Sequence, residues 1–360
     1  VFACDGKYRY VSSVKYRQIP NTGLYVSELC LGAMTFGGDE GTWGLIGKLD
    51  QKSVDELVHA SLDAGINFFD TANVYSRGLS EVMLGKALGE RRKDVVLATK
   101  VRGRMGTGPN EIGLSRVHIM QSVNDSLKRL GTDHIDLYQI HGFDPLADFE
   151  DIMQTLDDLV RGGKVRYVGA SNLAAWHLMK SLGISRSRGW EPFRTIQSYY
   201  SLAGRELERE IIPLLLDQKV GLMVWSPLAG GFLSGKFTRD GQDEGGRRAK
   251  FDFPPLDKEK AYRIIDVLKQ IGGEHDCSAA RVALAWLLAQ PAVTTVIIGA
   301  KRRDQLDDNL KSVDLTLSTE ELRKLNEVSA LAPEYPGWMF AMQLSDRLPG
   351  TTRTMPVRNS

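Results

Sequence analysis

The chain has 360 residues, 42% apolar and 25% charged, and its 46 Lys and Arg against 45 Asp and Glu give a formal charge of +1. Such an apolar share supports a sizeable core and excludes disorder for the bulk of the chain, while near-neutrality argues against a nucleic-acid binder, which carries a basic surplus or stripe. At about 150 residues per domain the length allows two domains, or one long α/β barrel. No apolar run approaches the ~18 residues of a membrane span, and residues 1–7 carry Asp and Lys where a signal peptide needs an apolar segment. Cys4, Cys30 and Cys277 match neither a disulfide framework nor a zinc pattern. A soluble, cytoplasmic protein is expected.

In chain order, residues 16–26 read as a hairpin turning at 21–23. Short β-branched runs then predict strands over 27–32, 66–70, 95–100, 135–141, 165–170, 195–199, 221–225 and 294–298. Helical patterns fill the intervals at 53–64, 80–90, 115–130, 149–161, 174–182, 206–218 and 302–313. The seventh interval is irregular, with a Gly-rich charged stretch over 230–255 before helices at 258–270 and 279–288. Ser53-Val-Asp-Glu56 reads as a capping box, and Gly131 and Gly162 as left-handed helix stops. The tail over 333–360 shows no clear period. Alternating strands and helices demand parallel strands joined by crossovers, and eight such units favour a closed (β/α)₈ barrel over an open sheet. One domain over 1–360 is therefore expected, its barrel core at about 16–331 and a substrate-side tail at 333–360.

Barrel active sites lie at the C-terminal strand ends. Those ends are Asp70, Lys100, His141, Ser171–Asn172, Gln197 and Trp225, polar or aromatic tips on apolar strands. An ammonium at Lys100, paired with Asp70, would lower the pKa of a nearby acid. Tyr75, five residues past Asp70, can fold over the same mouth and become a general acid. Only His141 of six histidines ends a strand, and no His-x-His occurs, so no metal site is expected. At the last strand-to-helix junction Gly299 permits close backbone approach, while Lys301, Arg302 and Arg303 oppose the helix dipole; either an anion such as phosphate binds there, or the basic end is solvated and partly balanced by Asp304, Asp307 and Asp308.

The stretches Gly32-Ala-Met-Thr-Phe-Gly, Phe69-Asp-Thr-Ala-Asn-Val-Tyr, Ala98-Thr-Lys, Asp136-Leu-Tyr-Gln-Ile-His, Gly169-Ala-Ser-Asn, Trp225-Ser-Pro-Leu-Ala-Gly-Gly and Ile298-Gly-Ala-Lys resemble the aldo-keto reductase superfamily, in the branch of bacterial general-stress reductases and potassium-channel β-subunits. The resemblance runs from about Tyr16 to Leu331. It implies a catalytic tetrad of Asp70, Tyr75, Lys100 and His141, with hydride from NADPH (NADH as an alternative), proton from Tyr75, and an aldehyde or ketone reduced reversibly to an alcohol. It implies further that Ser171, Asn172 and Gln197 hold the nicotinamide carboxamide, that Trp225 stacks beneath the ring and that Gly32 and Met34 border it. Ser226, Leu228, Gly230 and Lys236 would follow the pyrophosphate, with Gly299, Lys301, Gln305, Asp308 and Asn309 about the 2′-phosphate and adenine. Arg247 or Arg248 would clamp the phosphates from the long loop, or would simply be solvated.

The loop over 38–50 and the tail are this chain's own, so Phe36, Trp43, Phe143 and Trp338 are expected to shape a pocket for a bulky, partly apolar carbonyl. The alternative is a cofactor-binding regulatory subunit of a membrane protein, as the channel-associated relatives are. A small-molecule carbonyl or alcohol is the expected partner, with no nucleic acid and no membrane; a homo-oligomer is left open.

Overall fold

The computed structural model describes residues 14–38, 41–237, 239, 248 and 252–347. Cys4, Asp39–Glu40, Arg247, most of the stretch over 240–251 and the tail beyond 347 lie outside the described residues. Strands β1 (Tyr16–Gln18) and β2 (Tyr25–Ser27) pair antiparallel around the expected turn. Eight parallel strands follow: β3 (Leu29–Gly32), β4 (Phe68–Asp70), β5 (Val96–Val101), β6 (Ile135–Ile140), β7 (Val165–Ser171), β8 (Phe193–Tyr199), β9 (Gly221–Trp225) and β10 (Val293–Ile298). Each pairs with the next, and β10 also pairs with β3, with Val296 opposite Leu29. The sheet is a closed (β/α)₈ barrel.

Strand alternation sorts the side chains into two cores. Cys30, Phe68, Val96, Ala98, Leu137, Met223 and Ile297 point inward, joined by Ile19 and Val26 of the hairpin. The hairpin thus stoppers the N-terminal end, and Arg17 fastens it by donating to the Val293 and Leu288 carbonyls at 2.6 Å each. Outward positions such as Leu31, Phe69, Leu97 and Val101 pack against the helices. These are α1 (Gly41–Ile46), α2 (Gln51–Asp63), α3 (Leu79–Leu88), α4 (Arg116–Leu130), α5 (Phe149–Arg161), α6 (Ala175–Arg188), α7 (Ile211–Gln218), α8 (Lys258–Glu274), α9 (Ala279–Leu288), α10 (Arg303–Leu310), α11 (Thr319–Val328) and α12 (Gly337–Arg347).

Several boundaries differ from expectation. The cap of α2 is Asp50, whose carboxylate accepts from the Ser53 amide at 2.9 Å, so Ser53 lies inside the helix rather than capping it. Gly131 is left-handed as expected, but Gly162 keeps a helical φ of −75° and Gly163 takes the positive φ of 75°. The pattern over 206–218 divides into a short turn at Glu206–Glu208 and then α7, which places Pro213 in a first turn where its missing amide is harmless. A genuine capping box stands at Ser318 and Glu321, opening α11. The tail is not formless, for α12 forms there. Among the described residues no helix is long and apolar enough to cross a membrane.

Candidate active site

The C-terminal rim of the barrel carries a buried charged layer. Phe68 and Asp70 share the inward face of β4, as Ala98 and Lys100 share that of β5, so each charge sits one step above an apolar neighbour. Lys100 Nζ donates to Asp70 Oδ2 at 2.5 Å, to the Thr71 carbonyl at 2.8 Å, and to the Tyr75 hydroxyl at 3.4 Å. Burial alone would push the Lys100 ammonium down, but the Asp70 carboxylate and the Tyr75 oxygen outweigh it and the net direction is up. Lys100 is therefore a fixed positive charge facing the Tyr75 oxygen.

The other Asp70 oxygen accepts from Gln139 Nε2 at 3.0 Å and Gln197 Nε2 at 2.8 Å. Gln139 was not anticipated from sequence. Its signal is the alternation Ile135, Leu137, Gln139 on β6, which puts a polar side chain on the inward face of a strand otherwise apolar there.

His141 follows β6 with its amide on the Val101 carbonyl at 2.8 Å, and its ring meets the Tyr75 ring edge-on at 5.6 Å. Burial, then the Lys100 and Arg102 charges, lower its pKa from 6.5 to about 3. His141 is thus neutral at working pH, able to orient an oxygen but not to serve as the acid. Trp43 of α1 stands 5.6 Å from the Tyr75 ring on another side.

These groups open on a cavity of about 410 Å³ that runs past Ser171, Asn172, Trp225, Ser226, Leu228 and Gly230 to Gly299 and Asn309, with Gly32 and Met34 on its wall. Asn172 Nδ2 donates to the His141 carbonyl at 3.2 Å and to Ser171 Oγ at 2.9 Å, while its oxygen accepts from Trp225 Nε1 at 3.0 Å. Ser171 Oγ donates to the Gln197 carbonyl at 2.9 Å. Trp225 lies nearly parallel to Phe253, 6° apart with centroids at 5.7 Å. Phe253, on the cavity wall, was also not anticipated from sequence. Asn172 and Ser226 hold left-handed φ values of 53° and 52°, a costly geometry for non-glycine residues that clusters at functional rims.

Other expected contacts fall elsewhere. Phe36 is wholly buried in the outer core, and Phe143 stacks on His177 at 4.1 Å; neither lines the cavity. Trp338, on α12, packs against Tyr335 and is 46% exposed. Lys236 is exposed beyond the turn at Ala229–Ser234 and also off the cavity wall. Arg248 is buried, donating to the Ala229 and Pro254 carbonyls and pairing with Asp252. The cationic cluster is largely compensated: Arg302 pairs with Asp304 at 2.7 Å and Arg303 with Asp307 at 2.8 Å. Asp308 holds Ser278 and Arg281, and Gln305 accepts from the Lys301 amide at 2.9 Å. Among the described residues no cluster of His, Cys, Asp and Glu could hold a metal.

Sequence comparison decides the family: the Aldo/keto reductase family profile matches residues 28–330. The chain belongs to the aldo/keto reductase family. It is 40% identical to the uncharacterized oxidoreductase YrpG of Bacillus subtilis over 88% of this chain and 96% of that protein. It is 35% identical to the versiconal hemiacetal acetate reductase of Aspergillus parasiticus, over 90% and 99% respectively. A probable voltage-gated potassium channel subunit beta of Arabidopsis thaliana is 33% identical over 90% of this chain and 99% of its own length. Membership in this family makes the chain an oxidoreductase of the carbonyl-reducing kind.

Proposed function

We propose that this aldo/keto reductase is an NADPH-dependent reductase of aldehydes or ketones, with Tyr75 as proton donor. The observation that carries the reading is buried Lys100 Nζ held between the Asp70 carboxylate at 2.5 Å and the Tyr75 hydroxyl at 3.4 Å, two residues that line one cavity. A nearby cation stabilises the tyrosinate left after proton donation, and so makes the phenol a better acid.

The cavity residues fit a dinucleotide. A Cβ at Gly299 would meet nothing within 4 Å, so packing does not demand glycine there, and a ligand backbone can approach. Gly230, at φ 68°, has no room for a Cβ because the Phe253 carbonyl would lie 2.5 Å away. Ser171, Asn172 and Gln197 would hold a carboxamide and Trp225 the ring face, with Ser226, Leu228 and Gly230 along the phosphates and Lys301, beside Gly299, at a 2′-phosphate. The nicotinamide supplies the hydride. Tyr75 Oη gives its proton to the carbonyl oxygen, neutral His141 orients that oxygen, and Trp43 closes one side of the substrate space. Hydrogen bonds that strengthen as charge grows on the oxygen supply the electrostatic part of the rate.

The test follows NADPH oxidation against a panel of aldehydes, ketones and quinones. Turnover that falls about 10²-fold or more in Tyr75→Phe is expected for loss of a general acid. A panel on which wild type and Tyr75→Phe are equal defeats this reading. It would leave a second one, favoured by the channel-subunit similarity, in which cofactor occupancy regulates a membrane partner.

A further inference from the structure

The turn that carries Tyr75 is strained. Ser76, Arg77 and Gly78 take φ values of 48°, 55° and 94° in succession, and left-handed backbone is costly at non-glycine residues, so such a turn persists only when its surroundings dictate it. One of those surroundings is Arg129 of α4. Its Cδ and Nε lie 2.7 and 2.9 Å from where a Gly78 Cβ would be, so the arginine stem occupies the space that glycine leaves. Arg129 Nε in turn donates to Glu81 Oε2 at 2.6 Å.

Glu81, in the first turn of α3, has a side chain with no solvent exposure. Its second oxygen accepts from Thr99 Oγ1 at 2.6 Å. Thr99 immediately precedes Lys100 on β5, its side chain on the outward face while Lys100 points inward. Tyr138, the cross-strand neighbour of Thr99, is wholly buried; burial first and then the Glu81 charge push its phenol up. One buried carboxylate thus holds, from behind the barrel wall, both the strand that carries Lys100 and the arginine that props the turn carrying Tyr75.

We propose that Glu81 is a positioning residue, which with Thr99 and Arg129 sets the separation of Lys100 Nζ and Tyr75 Oη. This rests on Tyr75 being the proton donor. None of the three touches the cavity, so a merely structural role would lower the fraction of competent molecules and leave the rate of each one unchanged.

The experiment compares Glu81→Gln, Thr99→Val and Thr99→Ser with Tyr75→Phe, and scales kcat to the NADPH-binding sites counted by titrating tryptophan fluorescence. Misplacement of a reacting group by about 1 Å costs up to about 10²-fold. On that scale kcat per site should fall about 100-fold in Glu81→Gln and about 10-fold in Thr99→Val, with substrate KM and NADPH Kd within about twofold. Thr99→Ser, which keeps the hydroxyl, should return kcat to within about twofold of wild type. Unchanged kcat per site in Thr99→Val, or failure of Thr99→Ser to restore it, overturns the proposal, and this pair decides even if Glu81→Gln does not fold. An inactive Tyr75→Phe beside normal Thr99 variants removes the positioning role alone. A fully active Tyr75→Phe removes the proton-donor reading and this proposal together.

Discussion

At the hairpin end of the barrel the inward side chains are Cys30, Phe68, Val96 and Leu137, joined by Val26 of the hairpin, while toward the C-terminal strand ends they are Asp70, Lys100, Gln139 and Gln197. Backbone geometry is shared between the two layers, so the contrast lies in side-chain chemistry alone. The apolar layer is held by packing against the hairpin. In the polar layer every charge is satisfied by a neighbour within it: Asp70 receives Lys100, Gln139 and Gln197. A buried ion pair of this kind stabilises little compared with an apolar filling, yet breaking one partner is severe. Its presence where packing would serve points to chemistry.

Substitutions two residues apart on β4 give the widest separation between the layers. Asp70→Asn leaves the Lys100 ammonium buried without a counter-charge, and should cost about 3–5 kcal/mol together with nearly all turnover. Phe68→Ala opens a cavity beneath it and should cost a similar ~3–5 kcal/mol, but leave kcat per folded molecule close to wild type. Urea melts beside turnover per NADPH-binding site measure both. Loss of kcat per site in Phe68→Ala would mean that the lower layer also sets the geometry of the upper one.

Much of this contrast was legible in the sequence. All eight barrel strands were placed within a few residues, because short β-branched runs between helical patterns have few alternatives. Asp70, Lys100, His141 and Gln197 were visible as polar ends of apolar runs, and the structure gathers Asp70, His141 and Gln197 with Tyr75 about one cavity, with Lys100 buried against Asp70 and Tyr75. Gln139 was hidden because it lies one position inside its strand rather than at the tip. Phe253 was hidden because only folding brings a long loop back over Trp225. For Arg302 and Arg303 the sequence left balancing by nearby aspartates beside phosphate binding, and the structure shows Asp304 and Asp307 taking the two guanidinium groups. Phe36 and Phe143 were expected at the pocket as aromatic residues, whereas the structure turns their rings into packing.

The upper layer should also respond to acid where the lower one does not. His141 is neutral in the folded protein down to about pH 3, against an ordinary 6.5. Between those values the unfolded chain binds a proton that the folded chain refuses, so stability is full above 6.5 and declines as pH falls. At 1.36 kcal/mol per pK unit the decline from this residue reaches about 2 kcal/mol by pH 5. His141→Asn should flatten the fall in unfolding free energy between pH 7 and pH 5 by about that amount. Identical slopes for the two proteins would mean that His141 is solvated and free to charge, and a protonated His141 would then compete with Tyr75 as the acid.

The smallest expected effect concerns the far end of the cavity, where charge is exposed to water. Arg302 and Arg303 pair with Asp304 and Asp307, and Lys301 stands two residues after Gly299, which lines the cavity. Solvent screening limits what an exposed ammonium contributes to about 1 kcal/mol, and 1.4 kcal/mol is a factor of ten in Kd. Lys301→Ala should therefore weaken NADPH about five- to tenfold by isothermal titration and leave NADH within about twofold. Arg303→Ala, which removes a charge already neutralised by Asp307, should change neither by more than about twofold. Equal losses for NADPH and NADH in Lys301→Ala would move the phosphate contact away from this junction, and a larger loss in Arg303→Ala would require the Asp307 pair to open when cofactor binds.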